Sequence, residues 1–398
     1  MNNPKNSLPN GWSLKKLGEI AKITSGGTPD RGKPSYWNGE YPWISTSLID
    51  FNVIEKAEEY ITEEGLSNSS AKLFPIGTIL MAMYGQGKTR GKVALLGMEA
   101  ATNQACAAII LNSRQTVTDF VFQNLASRYD EIRGLSNVGN QENLNGELIK
   151  GLPVKLPPLP EQQKIATILG TWDAAIQTTT ALLAALQKRK KGLMQQLLRP
   201  KSDWKEVRLG ECFERLTRRN TEGNTNVLTI SAQHGLISQR DFFNKLVASE
   251  DVRGYFLLKK GEFAYNKSYS TGYPWGAYKR LDDYEKGILS PLYICFSLKN
   301  GDSDFFVHFF EAGRLDKGIY TIAQEGARNH GLLNMSVGDF FNLRFTIPPL
   351  AEQTRIAAIL NTADAELRQT EAYLEKLKTQ KRGLMQQLLT GKVRVTTR

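Results

Sequence analysis

The chain has 398 residues, 41% hydrophobic and 23% charged, a globular make-up too long for one ordinary core. No apolar run approaches the ~18 residues of a membrane span, the N-terminus MNNPKNSLPNGW lacks the basic-then-apolar order of a secretory leader, and three scattered cysteines (Cys106, Cys212, Cys295) fit reduced thiols in the cytoplasm. The net charge of +11, with a pI near 9.4, favours a polyanionic partner, nucleic acid before an acidic membrane.

Residues 1–157 read as a mixed α/β domain. The short apolar runs Tyr41–Ile44, Thr78–Tyr84, Lys92–Leu96 and Cys106–Leu111 are bounded by Gly, Pro and Asn, as strands are. Asp119–Arg133 carries apolar residues at helical spacing, with Asp119 in the first turn or at the cap. The domain leaves through Gly151-Leu-Pro-Val-Lys-Leu-Pro-Pro, where proline holds its predecessor out of the helical region.

Residues 158–200 predict one long helix. Pro160 suits a first helical turn and Glu161 suits its positive end. Ile165, Leu169, Trp172, Ile176, Thr179, Leu183, Leu186, Lys190, Leu193 and Leu197 then alternate spacings of four and three, a heptad seam. Lys188–Lys191 lie where cations suit the helix dipole. Residues 201–348 predict a second mixed domain, with strands at Val227–Ser231, Glu262–Tyr265 and Leu292–Leu298 and a helix over Phe305–Arg314. It opens on Trp204-Lys-Glu-Val-Arg-Leu-Gly-Glu, a faint echo of Trp12-Ser-Leu-Lys-Lys-Leu-Gly-Glu. Residues 349–398 predict a second long helix with the seam Ile356, Leu360, Ala363, Leu367, Thr370, Leu374, Leu377, Lys381, Leu384 and Leu388.

The two helices are one sequence used twice. Pro158–Leu198 and Pro349–Leu389 align without a gap at an offset of 191, with more than half the positions identical, while the domains between them are dissimilar. Polar seam positions recur as well, Thr179 with Thr370 and Lys190 with Lys381, and such positions set register. A helix of about 38 residues is roughly 57 Å long, and its apolar stripe needs cover. The two copies are expected to pack on each other, parallel with both domains at one end, or antiparallel with one at each end. The antiparallel form would suit a pseudo-symmetric DNA duplex. A coiled-coil scaffold without a DNA role is the competing reading.

No catalytic constellation emerges. Ala82-Met-Tyr-Gly-Gln-Gly87-Lys88-Thr89 fits a loose phosphate-loop pattern, which would make the chain an NTPase using Gly87, Lys88 and Thr89. A phosphate loop opens a helix, whereas Arg90-Gly-Lys-Val-Ala-Leu-Leu reads as a strand. The better reading is a basic hairpin loop whose Gln86, Lys88, Thr89, Arg90 and Lys92 could reach bases and phosphates. Arg31 and Lys33, just after Gly26-Gly27-Thr28-Pro29, join these candidates. In the second domain Lys267, Tyr269, Ser270, Tyr273, Lys279 and Arg280 mix cations, hydroxyls and aromatics, with Arg218 and Arg219 as a further basic pair. His234, His308 and His330 have no metal-ligand spacing with the cysteines, so no metal is expected.

Pro-Leu-Pro-Glu161-Gln162 and Pro-Leu-Ala-Glu352-Gln353, each opening a long helix, resemble the type I restriction-modification specificity subunit. So do Trp12…Leu17-Gly18-Glu19-Ile20, Gly26-Gly27-Thr28-Pro29, Tyr41-Pro42-Trp43-Ile44, Thr102-Asn103-Gln104-Ala105, Val227-Leu-Thr-Ile-Ser231 and Ser290-Pro-Leu-Tyr293. The resemblance implies an α+β chain of two target recognition domains on two long antiparallel coiled-coil helices with pseudo-two-fold symmetry. Each domain would read half of a split double-stranded DNA site, and the helices would set the spacer. They would also dock two methyltransferase subunits, which carry out N6-adenine methylation with S-adenosylmethionine. A motor-nuclease subunit would add ATP-driven cleavage, and neither cofactor would bind this chain itself. The second domain lacks the Gly-Gly-Thr-Pro and Tyr-Pro-Trp-Ile elements, which argues for an asymmetric target and leaves open whether the contact loops of the two halves correspond.

Overall fold

The computed structural model describes residues 8–85, 87–135, 143–231, 235–240, 251–268, 272–325 and 333–396. The chain divides into two compact units, Met1–Thr180 with Ala372–Arg398, and Ala181–Glu371. The division falls inside both long helices, Leu159–Leu197 and Leu350–Leu388, which have equal length. None of the described helices is long and apolar enough to cross a membrane.

The first unit contains β1 (Ser13–Lys16), β2 (Ala21–Ser25), β3 (Trp37–Ile44), β4 (Val53–Ile54), β5 (Glu59–Ile61), β6 (Ile79–Ala82), β7 (Val93–Leu96), β8 (Ala101–Thr102), β9 (Cys106–Leu111) and β10 (Pro153–Leu156). Its main sheet has the order β2-β9-β6-β7-β4, and a smaller one the order β5-β3-β8. The main sheet is covered on both faces, which is why its strands are continuous apolar runs. Ile79, Met81, Val93, Leu95, Ala107 and Ile109 enter one core, and Leu80, Ala82, Ala94, Leu96, Cys106 and Ala108 the other. The helix expected over Asp119–Arg133 is two, Thr118–Ser127 and Tyr129–Gly134, broken at Arg128. The Arg128 guanidinium is held by Glu131 (2.6 Å) and by the carbonyl of Pro153 (2.5 Å).

The second unit contains β11 (Lys205–Arg208), β12 (Phe213–Arg215), β13 (Leu228–Ser231), β14 (Gly235–Ser238), β15 (Phe256–Lys259), β16 (Phe263–Asn266), β17 (Ala277–Arg280), β18 (Lys286–Leu289), β19 (Ile294–Leu298), β20 (Gln324–Glu325), β21 (Leu333–Asn334) and β22 (Arg344–Ile347). Its four-stranded sheet has the order β12-β19-β16-β17 with every pair antiparallel, and β2-β9-β6-β7 run the same way. The echo seen in sequence is therefore a shared topology. In both units the strand after the tryptophan pairs antiparallel with the strand of exit, β1 with β10 and β11 with β22, and so closes the domain at its neck. The helix after β19 is Ser303–Glu311, and the Asp302 carboxylate caps it by accepting from the Phe305 amide (3.0 Å).

Within each unit the long-helix segments run antiparallel. In the first, Asp173 pairs with Lys381 and Glu161 with Arg394 (2.8 Å). In the second, Lys190 pairs with Asp364 (2.6 Å), Arg189 with Glu366, and Lys201 with Glu352 (2.5 Å). Every predicted seam position is at least half-buried, with Ile165, Leu169, Leu186, Ile356, Leu360, Leu374 and Leu377 fully so and Trp172, Ile176, Leu183 and Leu367 partly. The polar seam positions Lys190 and Lys381 are partnered by Asp364 and Asp173, which are themselves equivalent in the repeat. Two identical polar latches thus fix register, one in each unit.

Candidate nucleic-acid interface

The Glu-Gln pair at the head of each long helix ties it to its domain. The Gln162 side chain accepts from the Val117 amide (2.8 Å) and donates to the carbonyls of Pro157 (2.9 Å) and Gln115 (3.1 Å). Gln353 does the same, accepting from the Asp302 amide (2.9 Å) and donating to the carbonyl of Pro348 (2.9 Å). Each glutamine therefore satisfies the N-terminus of a domain helix and the exit strand together, and both are buried.

The two basic segments singled out in the sequence occupy the same place in the two sheets. The first is the β6–β7 connection and the second the β16–β17 connection. Each closes on a glycine at positive φ immediately before or beside the returning strand, Gly91 at +85° and Gly276 at +82°. A side chain at position 276 would also run into the Asn266 carbonyl. The two basic connections therefore correspond in topology. In the first connection Lys88 is exposed, Thr89 half-buried, and the Lys88 carbonyl accepts from the Tyr129 hydroxyl (2.6 Å). Because Val93–Leu96 is a strand, no helix N-terminus follows Lys88, which removes the geometric basis of a phosphate loop. Lys92 is paired with Asp50 (2.5 Å). Arg90 is only 6% exposed and donates to the Arg133 carbonyl (3.0 Å), so it braces the loop from beneath. Gln86, Tyr269, Ser270, His234 and His330 lie outside the described residues.

In the second connection Lys267 and Tyr273 are half-buried, and Lys279 lies over the Tyr273 ring at 5.5 Å. Burial lowers the Lys279 pKa, opposed by Glu311. Arg280 differs from its expected role as a DNA contact. Its guanidinium is spent on Asp282 (2.7 Å), the Ser303 hydroxyl (2.8 Å) and Asp304 (2.6 Å), which anchors the Ser303–Glu311 helix to the sheet. Arg218 is likewise committed, to Glu262 (2.6 Å) and the Leu257 carbonyl (3.2 Å). Arg219 covers the Phe256 ring at 4.6 Å and donates to the Gly254 carbonyl. Arg31 lies 3.7 Å over Trp37 and forms a two-point pair with Glu59, while Lys33 reaches the Tyr36 hydroxyl (3.2 Å); both cations remain exposed.

Sequence elements that had no visible relation to one another meet in the first unit. The Trp43 indole donates to the Gly27 carbonyl (3.0 Å), the Thr28 hydroxyl donates to Gln104, and the Thr102 hydroxyl donates to the Ile44 carbonyl (2.8 Å). A Cβ on Gly26 would collide with the Thr102 carbonyl, and one on Gly27 with Ser70. The same node holds the basic loop, since the Met83 amide donates to the Ala105 carbonyl (2.8 Å). Phe51 went unnoticed in the sequence. It sits at φ +56°, beside Lys92 and edge-on to Tyr129 at 5.3 Å, and is 39% exposed. No sequence pattern marks a phenylalanine for that backbone region.

The family model of the type I restriction modification DNA specificity domain matches residues 9–188. A type I restriction enzyme specificity subunit from Methanocaldococcus jannaschii, MjaX, is 25% identical over 98% of this chain and 95% of its own length. The chain is thus similar to type I specificity subunits, in its first half by the family model and over nearly its whole length by the MjaX relative. The EcoR124I/EcoR124II specificity subunit of Escherichia coli is 31% identical over 42% of this chain, and the MjaIX specificity subunit of M. jannaschii 28% identical over 46%. Both matches span 42% of the relative, so the chain covers about two fifths of the length of each. The S subunit of a type I system from M. genitalium shares the fold with a TM-score of 0.59 and 17% identity, over 96% of this chain and 98% of that one. A chain from a structure concerning complex assembly and conformational transition of the type I system gives 0.57 and 18%, over 98% of this chain and the whole of that one.

Proposed function

We propose that this chain is a non-catalytic DNA-reading subunit of a type I restriction-modification assembly. The carrying observation is that two domains of unlike sequence share one strand order and present a basic connection at the same place in it. Each is locked by an identical glutamine to its own copy of one repeated helix. Unlike loops on a like frame suit a target with two different halves. The β6–β7 connection, with Lys88, Thr89 and Phe51, reads one half, and the β16–β17 connection reads the other. In this reading the long helices form a pseudo-two-fold coiled coil that sets the spacer. Their remaining surface docks two methyltransferase subunits, which bring S-adenosylmethionine, and a motor-nuclease subunit brings ATP. This chain supplies phosphate and base contacts, and the chemistry belongs to its partners.

Mapping methylated adenines in the source genome before and after deletion of this chain tests the reading. A bipartite motif should disappear, and an unchanged map would sink the proposal. Inserting four residues in phase into each long helix should lengthen it by ~6 Å, and move the preferred spacer by one or two base pairs at ~3.4 Å each.

A further inference from the structure

The second unit holds a polar cluster that DNA reading does not use. His308 lies on the Ser303–Glu311 helix, its side chain 1% exposed, with its Nδ1 3.9 Å from a Glu311 oxygen and 3.8 Å from an Asp364 oxygen. The three ligand atoms all lie within 4.8 Å of one another. That Nδ1 is buried and has no hydrogen-bond partner.

Hydrogen bonding fixes which nitrogen carries the proton. Arg280 pairs with the Asp304 carboxylate (2.6 Å), and the other oxygen of Asp304 accepts from Asn361 Nδ2 (2.8 Å). A carboxylate accepts only, so the amide of Asn361 is oriented with Oδ1 toward His308 Nε2 at 2.8 Å. That oxygen also accepts only, so Nε2 bears a hydrogen. With that proton on Nε2, the Nδ1 lone pair of the neutral ring faces two carboxylates, an arrangement that calls for a cation between them. A buried imidazole whose far N–H is held by a carbonyl, itself held by a carboxylate, is how proteins orient a metal-binding histidine.

The Lys190 ammonium answers part of this demand. It lies 3.0 Å from Glu311 and 2.6 Å from Asp364 but makes no hydrogen bond to His308. The first unit provides an internal contrast. There the equivalent latch, Lys381 with Asp173, is completed by Gln123, whose Nε2 donates to Asp173 (2.5 Å). Gln123 stands where His308 stands, counting from the helix N-caps Val117 and Asp302. A lysine–aspartate latch therefore needs neither an imidazole nor a second carboxylate, and the second unit has both. A cavity of about 710 Å³, lined in part by Lys190, Lys191, Glu311 and Arg314, gives access and leaves room for a displaced lysine side chain.

We propose that His308 Nδ1, Glu311 and Asp364 form a site for a divalent transition metal, in competition with the Lys190 ammonium. One nitrogen and two carboxylate oxygens suit Zn²⁺, whose ligands stand ~2.0–2.2 Å from the ion. Side-chain rotation of Glu311 and Asp364 closes the remaining gap, and water from the cavity completes the coordination. Metal and lysine are exclusive occupants. Zn²⁺ joins the Ser303–Glu311 helix to the second long helix, and Lys190 joins both to the first. The ion would thus release the Lys190 tie between the long helices in this unit, whether or not the chain reads DNA.

The test is Zn²⁺ binding by tag-free full-length protein against a chromogenic chelator, with Co²⁺ and its visible absorption as a second probe. His308→Ala should weaken binding ~100-fold and Asn361→Ala ~10-fold, the range seen for orienting partners. Glu311→Gln, at a half-exposed position, should weaken it without disturbing the fold. Lys190→Met should tighten it, which a purely structural cluster would not do. Absence of Zn²⁺ binding, binding unchanged by His308→Ala, or weaker binding in Lys190→Met would each overturn the proposal.

Discussion

The two units are one fold filled in two ways. In the first, the shared sheet carries mostly aliphatic side chains, with Ile79, Met81, Val93 and Ile109 facing the helices. In the second, the same face carries Phe263, Tyr265, Tyr278 and Phe296, and Phe213, Phe306, Phe310 and Phe340 interleave with them. Tyr278 stacks on Tyr265 at 4.4 Å and on Phe310 at 4.6 Å. On the opposite face both sheets use small residues, Ala82, Ala94 and Ala108 in one and Ala264, Ala277 and Cys295 in the other. Topology thus survives complete exchange of the core when volume and two-fold alternation are kept. The necks differ in a subtler way. Glu161 and Glu352 are the same residue of the repeat, yet Glu161 is buried against Arg394, the Val395 amide and the Trp12 indole (3.2 Å), whereas Glu352 meets Lys201. The indole nitrogen of Trp204, the counterpart of Trp12, is buried without a hydrogen-bond partner.

The most severe way to probe this comparison is in the cores. Phe263→Ala should cost the second unit about 4 kcal/mol, and Ile79→Ala the first about 3 kcal/mol. Each should appear in urea unfolding as a shift confined to its own unit; one common transition moving equally in both variants would show that the units are not independent. Next in size are the necks. Arg394→Ala strands the buried Glu161 carboxylate and should cost about 3 kcal/mol, while Lys201→Ala removes an exposed cation and should cost under ~1 kcal/mol. Equal losses would erase the distinction drawn between the two glutamates.

That contrast has a pH arm. Burial works against the Glu161 carboxylate, but the Arg394 guanidinium, the Val395 amide and the Trp12 indole outweigh it, so its pKa lies below the ordinary carboxylate value. A depressed carboxylate contributes stability above its unfolded pKa and loses it as pH falls through the folded one. The first unit should therefore weaken below pH ~4, and Arg394→Ala should flatten that acid limb in thermal melts.

The glutamine locks should behave alike. Gln162→Ala and Gln353→Ala each leave a buried helix-end amide and an exit carbonyl without their partner, at a cost of about 1–2 kcal/mol. A large difference between them would mean that the two joints are not equivalent. Smallest for stability is Lys88→Ala, expected within ~0.5 kcal/mol of the parent. If the β6–β7 connection meets DNA, the same variant should lower the salt dependence of duplex binding by about one unit of slope.

Much of this architecture was legible in the sequence because it is periodic. The heptad spacing marked both long helices and their starts, although the second ends at Leu388, ten residues before the end of the stretch assigned to it, and the first at Leu197 rather than 200. The cluster of glycines with cations marked both loops. Local pattern could not separate a free cation from a committed one. Arg90, Arg218 and Arg280 look like Lys88 in composition, but their partners Arg133, Glu262 and Asp304 are distant in the chain. Nor could it join Gly26, Trp43, Thr102 and Gln104 into one node, since that requires the end of β2 in one sheet to meet β3 and β8 in another. In the sequence His308 shows only that it lacks metal-ligand spacing with the cysteines. Its Glu311 is one helical turn away, but its Asp364 comes from another helix altogether.

The sequence by itself determined the repeated helices, their seam and the recurring polar positions in it, because helix geometry turns linear spacing directly into a face. The tertiary structure decided that the unlike domains share one strand order, that their basic loops correspond, and which charges are spent on internal partners. Strand pairing and ion pairing join residues far apart along the chain, and no local period records them.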